Sequence, residues 1–174
     1  DGNQFTARTG QAAQIMMVEV PMGQSDQKLK STRERYQVIP RSLVFLRNGD
    51  DVLLLKGAPT KRLWANMYNG VGGHIENGED VQSAARREVE EETGLRSDSL
   101  TLRAIINLDA GEEHRGIMIF VFVGWIQTRQ TKASVEGSLH WIPVAELAQH
   151  PLVEDLYWLI PKLFSDEKFY SLQY

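Results

Sequence analysis

At 174 residues, with 42% hydrophobic and 24% charged side chains, the chain is long enough for one domain with a full core and too short for two. A formal net charge of −4 argues against nucleic-acid polymers and membrane surfaces as partners, and with no cysteine there is no thiol chemistry and no disulfide framework. No apolar run approaches the ~18 residues of a membrane span and no signal-like pattern opens the chain, so a cytoplasmic protein is expected.

Residues 1–34 are rich in Gln, Gly, Ser and Thr, with an apolar patch at 15–20 ending at Pro21, and read as an N-terminal arm, either mobile or paired as an edge segment. Lys28, Lys30, Arg33 and Arg35 form a basic cluster there, solvated or reaching a phosphate. The folded domain is expected over 35–174. Two β-rich runs, 38–46 and 52–56, flank Asn48-Gly49-Asp50-Asp51, which is hairpin chemistry. A loop over 57–63 leads through 67–71 into a turn holding Gly70, Gly72 and Gly73. Asp80 is a candidate N-cap for a helix over 80–93, with Val81, Ala84, Ala85 and Val89 as its buried stripe and Gly94 as its stop.

Strands follow at 100–108 and 116–126, joined by a polar tip at 110–115; the second is apolar at nearly every position and should be central. A loop over 127–138 leads to a short strand near 140–142. Helices are expected at 144–150 and 154–164, with Pro161 bending or shortening the latter and with Tyr157 and Trp158 in the core. Strands alternating with helices, hairpins included, predict an α/β fold with a mixed β-sheet between helical layers.

The helix over 80–93 is an odd one to build for stability alone, because it carries Glu88, Glu90, Glu91 and Glu92. On a 3.6-residue period Glu88, Glu91 and Glu92 share a face while Glu90 points elsewhere. Two carboxylates about 5 Å apart repel by roughly 3 kcal/mol at an effective dielectric near 20, so a converging trio requires a cation or a proton, a divalent metal being the simplest answer. Oxygen donors without Cys or a His pair select Mg²⁺, with Mn²⁺ able to substitute. The glycine turn lets the main chain approach closely, within reach of a metal or a phosphate oxygen.

The spacing Gly73, Glu79, Arg87, Glu88, Val89, Glu91, Glu92, Gly94, Leu95 is similar to the signature box of the Nudix hydrolase family at every position. Seven fixed identities at about one in fifteen each make an accidental match roughly a one-in-a-million event, which weighs against a merely solvated acidic face. The resemblance implies an α/β/α sandwich and Mg²⁺-dependent hydrolysis of a phosphoric anhydride in a small nucleotide by a monomer or homodimer. It also implies metal ligation by the Gly72 carbonyl, Glu88, Glu91 and Glu92. Arg87 would orient a helix glutamate through a bidentate pair, and Glu79 would hold the loop to the helix start. Glu136, five residues before Trp141, would be a further ligand or the general base, as in the oxidised-purine branch of the family.

Within that branch, Tyr68-Asn69-Gly70-Val71-Gly72-Gly73 and the tail over 152–161 resemble base-reading segments. The resemblance gives Asn69 a hydrogen bond to the base. It also places Glu154 and Asp155 as an adjacent acid pair that can share one proton and so offer both donor and acceptor to a purine edge. Leu152 departs from the pattern, standing where the branch has a stacking tryptophan, with Trp64 or Tyr68 as substitutes; Lys56 is either a nucleotide contact or an exposed lysine. The implied substrates are oxidised purine nucleoside triphosphates such as 8-oxo-dGTP or 2-hydroxy-dATP. A nucleotide sugar or dihydroneopterin triphosphate remains an alternative, as does a non-catalytic nucleotide-binding module.

Overall fold

The structure, a computed structural model, describes residues 35–174; the expectations for residues 1–34, including Lys28, Lys30 and Arg33, lie outside the described residues. In chain order the elements are β1 (Gln37–Asn48), β2 (Asp51–Gly57), β3 (Tyr68–Asn69), α1 (Val81–Thr93), β4 (Thr101–Glu112) and β5 (Arg115–Trp125). They continue with β6 (Gly137–Pro143), a 3₁₀ turn (Val144–Gln149), α2 (Leu156–Ser165) and β7 (Tyr170–Gln173). The strands form one mixed sheet. β1 runs parallel to β5 and β4 parallel to β7, and the other pairings are antiparallel. As its composition predicts, β5 is central, between β1 and β4.

The period-2 alternation of β1 divides the core. Val44 and Leu46 meet Ala85 and Val89 of α1 on one face, while Phe45 meets Leu156, Leu159, Ile160 and Leu163 of α2 on the other. Neighbouring β5 does the same, with Phe122 toward α1 and Val121 and Val123 toward α2. The mixed sheet between helical layers is therefore as expected.

What positions the candidate site is a parting of strands. The β1–β2 hairpin closes at Asn48↔Asp51 and its register holds only as far as Leu46↔Leu53, while β6 follows the other edge of β2 from Asp51 to Gly57. The segment 68–74 enters the resulting opening. Tyr68 and Asn69 pair with Lys56 and Leu55 on one side, and Val71 and His74 bridge to Val44 and Arg41 on the other.

Several local expectations are corrected. The tip at 110–115 is tighter, because β4 continues to Glu112 with the Asp109 carboxylate accepting from the Gly111 N–H at 2.8 Å. The segment after Pro143 is a 3₁₀ turn. α2 starts at Leu156 and not at 154, since Leu152 is still bridged to Tyr68 and the Val153 N–H still donates to the Tyr68 carbonyl. Pro161 lies inside α2, which continues to Ser165; the donor it lacks falls opposite the carbonyl of Tyr157, on the exposed side of the helix. The buried stripe of α2 is Leu156, Leu159, Ile160 and Leu163, which leaves Tyr157 and Trp158, expected in the core, 41% and 46% exposed. The short edge strand β7 has no counterpart among the expected elements.

Candidate active site

Both ends of α1 form as the sequence suggests. The Asp80 carboxylate accepts from the Gln82 and Ser83 amides, and Gly94 closes the helix in the left-handed region. With Ala84, Ala85, Val89 and Thr93 buried, the helix can turn only its acidic side toward the glycine segment. That segment is held against β1 by hydrogen bonds from the Ser42 N–H to the Gly73 carbonyl (2.9 Å) and between Val44 and Val71 in both directions. Gly72 takes φ +150, and its N–H donates to Glu92 Oε2 at 3.1 Å. A Cβ on Gly73 would stand 2.5 Å from Glu88 Oε1. The close approach that the glycines were expected to permit is thus made to two of the candidate glutamates.

Arg87 ties the loop to the helix. Its Nε and Nη2 form a fork on the two oxygens of Glu79 (3.0 Å each), its Nη1 reaches Glu88 (2.9 Å) and Glu91 (3.2 Å), and its Nη2 also donates to the His74 carbonyl (3.0 Å). The bidentate pair expected on a helix glutamate therefore falls on Glu79, and the helix glutamates receive single contacts. Glu79 Oε2 accepts from the Glu76 N–H as well, so its carboxylate stays ionised below the usual range, chiefly through Arg87.

The three helix glutamates do not converge. Glu91 is drawn along the helix surface by Arg87 and is 60% exposed, Glu88 is 14% exposed, and Glu92 turns inward under Gly72. Glu90 points elsewhere, as its phase predicts, and pairs with Arg96. Among the described residues no three His, Asp or Glu side chains stand together as a formed metal cage.

The electrostatics nevertheless suit a hard cation. Burial, and then the neighbouring charges of Glu88 and Glu136, push the Glu92 carboxyl up to about 7, against a pull in the opposite direction from the Gly72 amide. Glu92 has no ion-pair partner among the described residues, and its side-chain contact is to the Gly72 backbone. An all-oxygen donor set fits Mg²⁺ or Mn²⁺. Glu136, at the entrance to β6, is ion-paired with Lys61, and its carbonyl accepts from the Ala58 N–H at 3.1 Å. Lys61 carried no signal in the sequence: it lies in a loop with no motif, and only the pairing of β2 with β6 brings it to Glu136.

The candidate base-reading residues divide. Asn69 is half-buried, with its Oδ1 accepting from the Gly70 N–H at 2.8 Å. Asp155 is half-buried at the start of α2, makes no side-chain cap, and has its carboxyl raised by burial and then by Glu154, which is itself exposed. Leu152 (2% exposed) and Tyr68 (6%) belong to the core on the α2 face. Tyr68 is held edge-on by His140 and His150 with Lys56 Nζ 5.6 Å from its ring centre. Neither Leu152 nor Tyr68 therefore presents a face on which a base could stack. Trp64 is 44% exposed, on a left-handed backbone (φ 57) in the same loop as Lys61.

A mixed sheet between helices, with an arginine-braced glutamate helix against a glycine segment, defines a class of fold that known proteins share. Residues 39–163 match the model of the NUDIX domain, and the chain belongs to that family. Over 47 residues it is 43% identical to the oxidized purine nucleoside triphosphate hydrolase of Danio rerio, covering 27% of this chain and 30% of that protein. Over 100 residues it is 31% identical to a Nudix hydrolase of Deinococcus radiodurans, covering 48% and 58%. The chain thus spans less than two thirds of the length of these curated relatives. Among solved structures, the MutT protein of Bacillus halodurans superposes with a TM-score of 0.67 at 24% identity, covering 79% of this chain and 90% of that one, which shows a shared fold.

Proposed function

We propose that the chain is a Mg²⁺-dependent nucleotide hydrolase that cleaves a nucleoside triphosphate to the monophosphate and pyrophosphate, with an oxidised purine nucleotide such as 8-oxo-dGTP or 2-hydroxy-dATP as substrate. The observation that carries the reading is Glu92, a carboxyl group turned inward to accept from the Gly72 amide and raised first by burial and then by Glu88 and Glu136. Such charge is tolerated where a divalent cation and a phosphate chain are to be held.

Glu88, Glu91, Glu92, Glu136 and the Gly72 carbonyl would hold the metal. When bound it neutralises phosphate charge and lowers the pKa of water. The chain's own residues do the rest. Arg87 keeps Glu88 and Glu91 at fixed positions relative to the loop. One of Glu88, Glu91 and Glu136 accepts the proton of the attacking water. Its oxygen bonds to the β-phosphorus as the bond from that phosphorus to the α–β bridging oxygen breaks, and that oxygen leaves on the monophosphate. Positioning supplies much of the rate. Asn69 and Asp155, with Glu154 beside the latter, would read the base, while Trp64 would stack on it and Lys56 would contact the nucleotide. The 47-residue likeness to the Danio rerio protein supports the oxidised-purine assignment.

The burial of Leu152 and Tyr68 favours a second reading, in which the chain hydrolyses another nucleoside diphosphate derivative with little base recognition. A Mg²⁺-dependent screen of oxidised and normal nucleoside triphosphates, nucleotide sugars and dihydroneopterin triphosphate separates the two. On the first reading pyrophosphate appears fastest from 8-oxo-dGTP or 2-hydroxy-dATP, and Asn69→Ala and Asp155→Asn slow that reaction at least tenfold more than hydrolysis of a substrate without a base. Equal losses on both kinds of substrate reject base reading at these positions. No hydrolysis of any compound, with one bound tightly, assigns the chain as a binding module.

A further inference from the structure

The ion pair between Lys61 and Glu136 is set differently from ordinary surface pairs. Its two loops are joined through main chain: the Ala58 N–H donates to the Glu136 carbonyl (3.1 Å) and the Lys61 N–H donates to the Ala58 carbonyl (3.0 Å). Gly137, next to Glu136, lies so close to β2 that a Cβ there would stand 2.0 Å from the Lys56 carbonyl oxygen. The far end of the Lys61 loop is closed by the Met67 N–H donating to the Trp64 carbonyl (3.1 Å) and to β2 by the Asn66 N–H donating to the Gly57 carbonyl (3.0 Å). Trp64 and Asn66 both hold left-handed backbone (φ 57 and 62), a cost that tertiary contacts must offset. The lysine is thus delivered to Glu136 by a built loop. With side chains 36% and 45% exposed, such a pair contributes about 0–1 kcal/mol to stability, too little to explain the construction.

The charges that face it give a better account. Lys61 pairs directly with Glu136, whereas Glu92 has only the Gly72 amide as a partner among the described residues. Arg87 compensates Glu88 and Glu91 but makes no contact with Glu92 or Glu136. Among the described residues Lys61 is therefore the cation that serves Glu136.

We infer that Lys61 is a built-in counter-cation of the candidate metal site: its ammonium neutralises Glu136, and a divalent ion must displace it, so lysine and metal compete for the Glu136 carboxylate. The inference rests on the metal site of the proposed function and adds a positioning residue to it. A divalent ion and an ammonium sharing carboxylates repel enough, even at the dielectric of bulk water, to weaken ion binding about tenfold.

The test is Mn²⁺ binding to the full chain without nucleotide, read by electron paramagnetic resonance, together with thermal unfolding. Lys61→Met should tighten Mn²⁺ binding about tenfold, Lys61→Arg should restore the wild-type constant to within twofold, and the gain from Lys61→Met should vanish in a Glu136→Gln background. Without metal, Lys61→Met should unfold cooperatively at a lower midpoint than wild type, and saturating Mn²⁺ should close that gap. Unchanged or weaker Mn²⁺ binding in Lys61→Met, with wild-type binding intact, overturns the inference and leaves the proposed function standing. A wild-type chain that binds no Mn²⁺ overturns both.

Discussion

Two residues concentrate the physics of the acidic helix. Glu92 has its carboxyl raised from 4.5 to about 7 in the folded chain, so the folded state binds that proton more tightly than the unfolded state does. The stability this confers is complete below about pH 4.5 and is lost as the pH rises through about 7. The midpoint of metal-free unfolding should accordingly fall as the pH rises from about 4.5 to about 7. Glu92→Gln, which keeps an oxygen for the Gly72 amide, should flatten that slope and raise the midpoint at pH 8 while abolishing nucleotide hydrolysis. Arg87 makes the opposite case, since its value lies in geometry as well as charge. A lysine there keeps one positive charge but cannot fork onto Glu79 while reaching Glu88, Glu91 and the His74 carbonyl. Arg87→Lys should cost about 1–3 kcal/mol in a denaturant titration and lower kcat at least a hundredfold with a smaller change in KM. Arg87, Glu79, Glu88, Glu91 and Glu92 were all legible from spacing. Their pairing was not, because Glu79 competes for the guanidinium from a loop whose path the sequence leaves open.

At the level of elements, function depends on how closely the glycine segment lies between β1 and α1. The two adjacent glycines at its end serve different ends, and alanine at each should separate them. Gly72→Ala puts a Cβ 2.2 Å from the Ser42 carbonyl oxygen at φ +150, a backbone collision that β1 cannot relieve, and should cost about 2 kcal/mol or more. Gly73→Ala meets the Glu88 carboxylate, the mobile end of a side chain. It should leave the unfolding midpoint nearly unchanged while reducing turnover at least tenfold by displacing that carboxylate. Equal stability losses in the two variants would contradict this division. The existence and type of most elements followed from periodicity, turn chemistry and caps. β7 escaped because Tyr-Ser-Leu-Gln has an apolar alternation only two residues deep, and it becomes a strand through its parallel pairing with β4.

For the molecule as a whole, the sheet brings charge together at its parted strands faster than the chain alone neutralises it. A ligand that binds only the folded state stabilises it by RT ln(1 + [L]/Kd), about 2.7 kcal/mol at a hundred times Kd. Mg²⁺ or Mn²⁺ at that excess should therefore raise the unfolding midpoint at pH 8 by several degrees, EDTA should reverse the gain, and Glu92→Gln should reduce it. An unfolding midpoint indifferent to both ions would remove the basis for assigning Glu88, Glu92 and Glu136 to a cation.

By itself the sequence determined the acidic helix, its caps, the glycine segment and the α/β layering, because each is written in local spacing: a 3.6-residue stripe, a period-2 strand, a residue able to take a left-handed turn. Only the tertiary structure decided that Glu92 turns inward while Glu91 lies along the surface, that Arg87 grips Glu79, and that Leu152 and Tyr68 go to the core. It also decided that Lys61 arrives at Glu136. Those outcomes depend on which strands part and which loops meet, across 8 positions for Arg87 and Glu79, 20 for Gly72 and Glu92 and 75 for Lys61 and Glu136, and burial and charge pairing of this kind are properties of the packed sheet, with no trace in neighbouring residues.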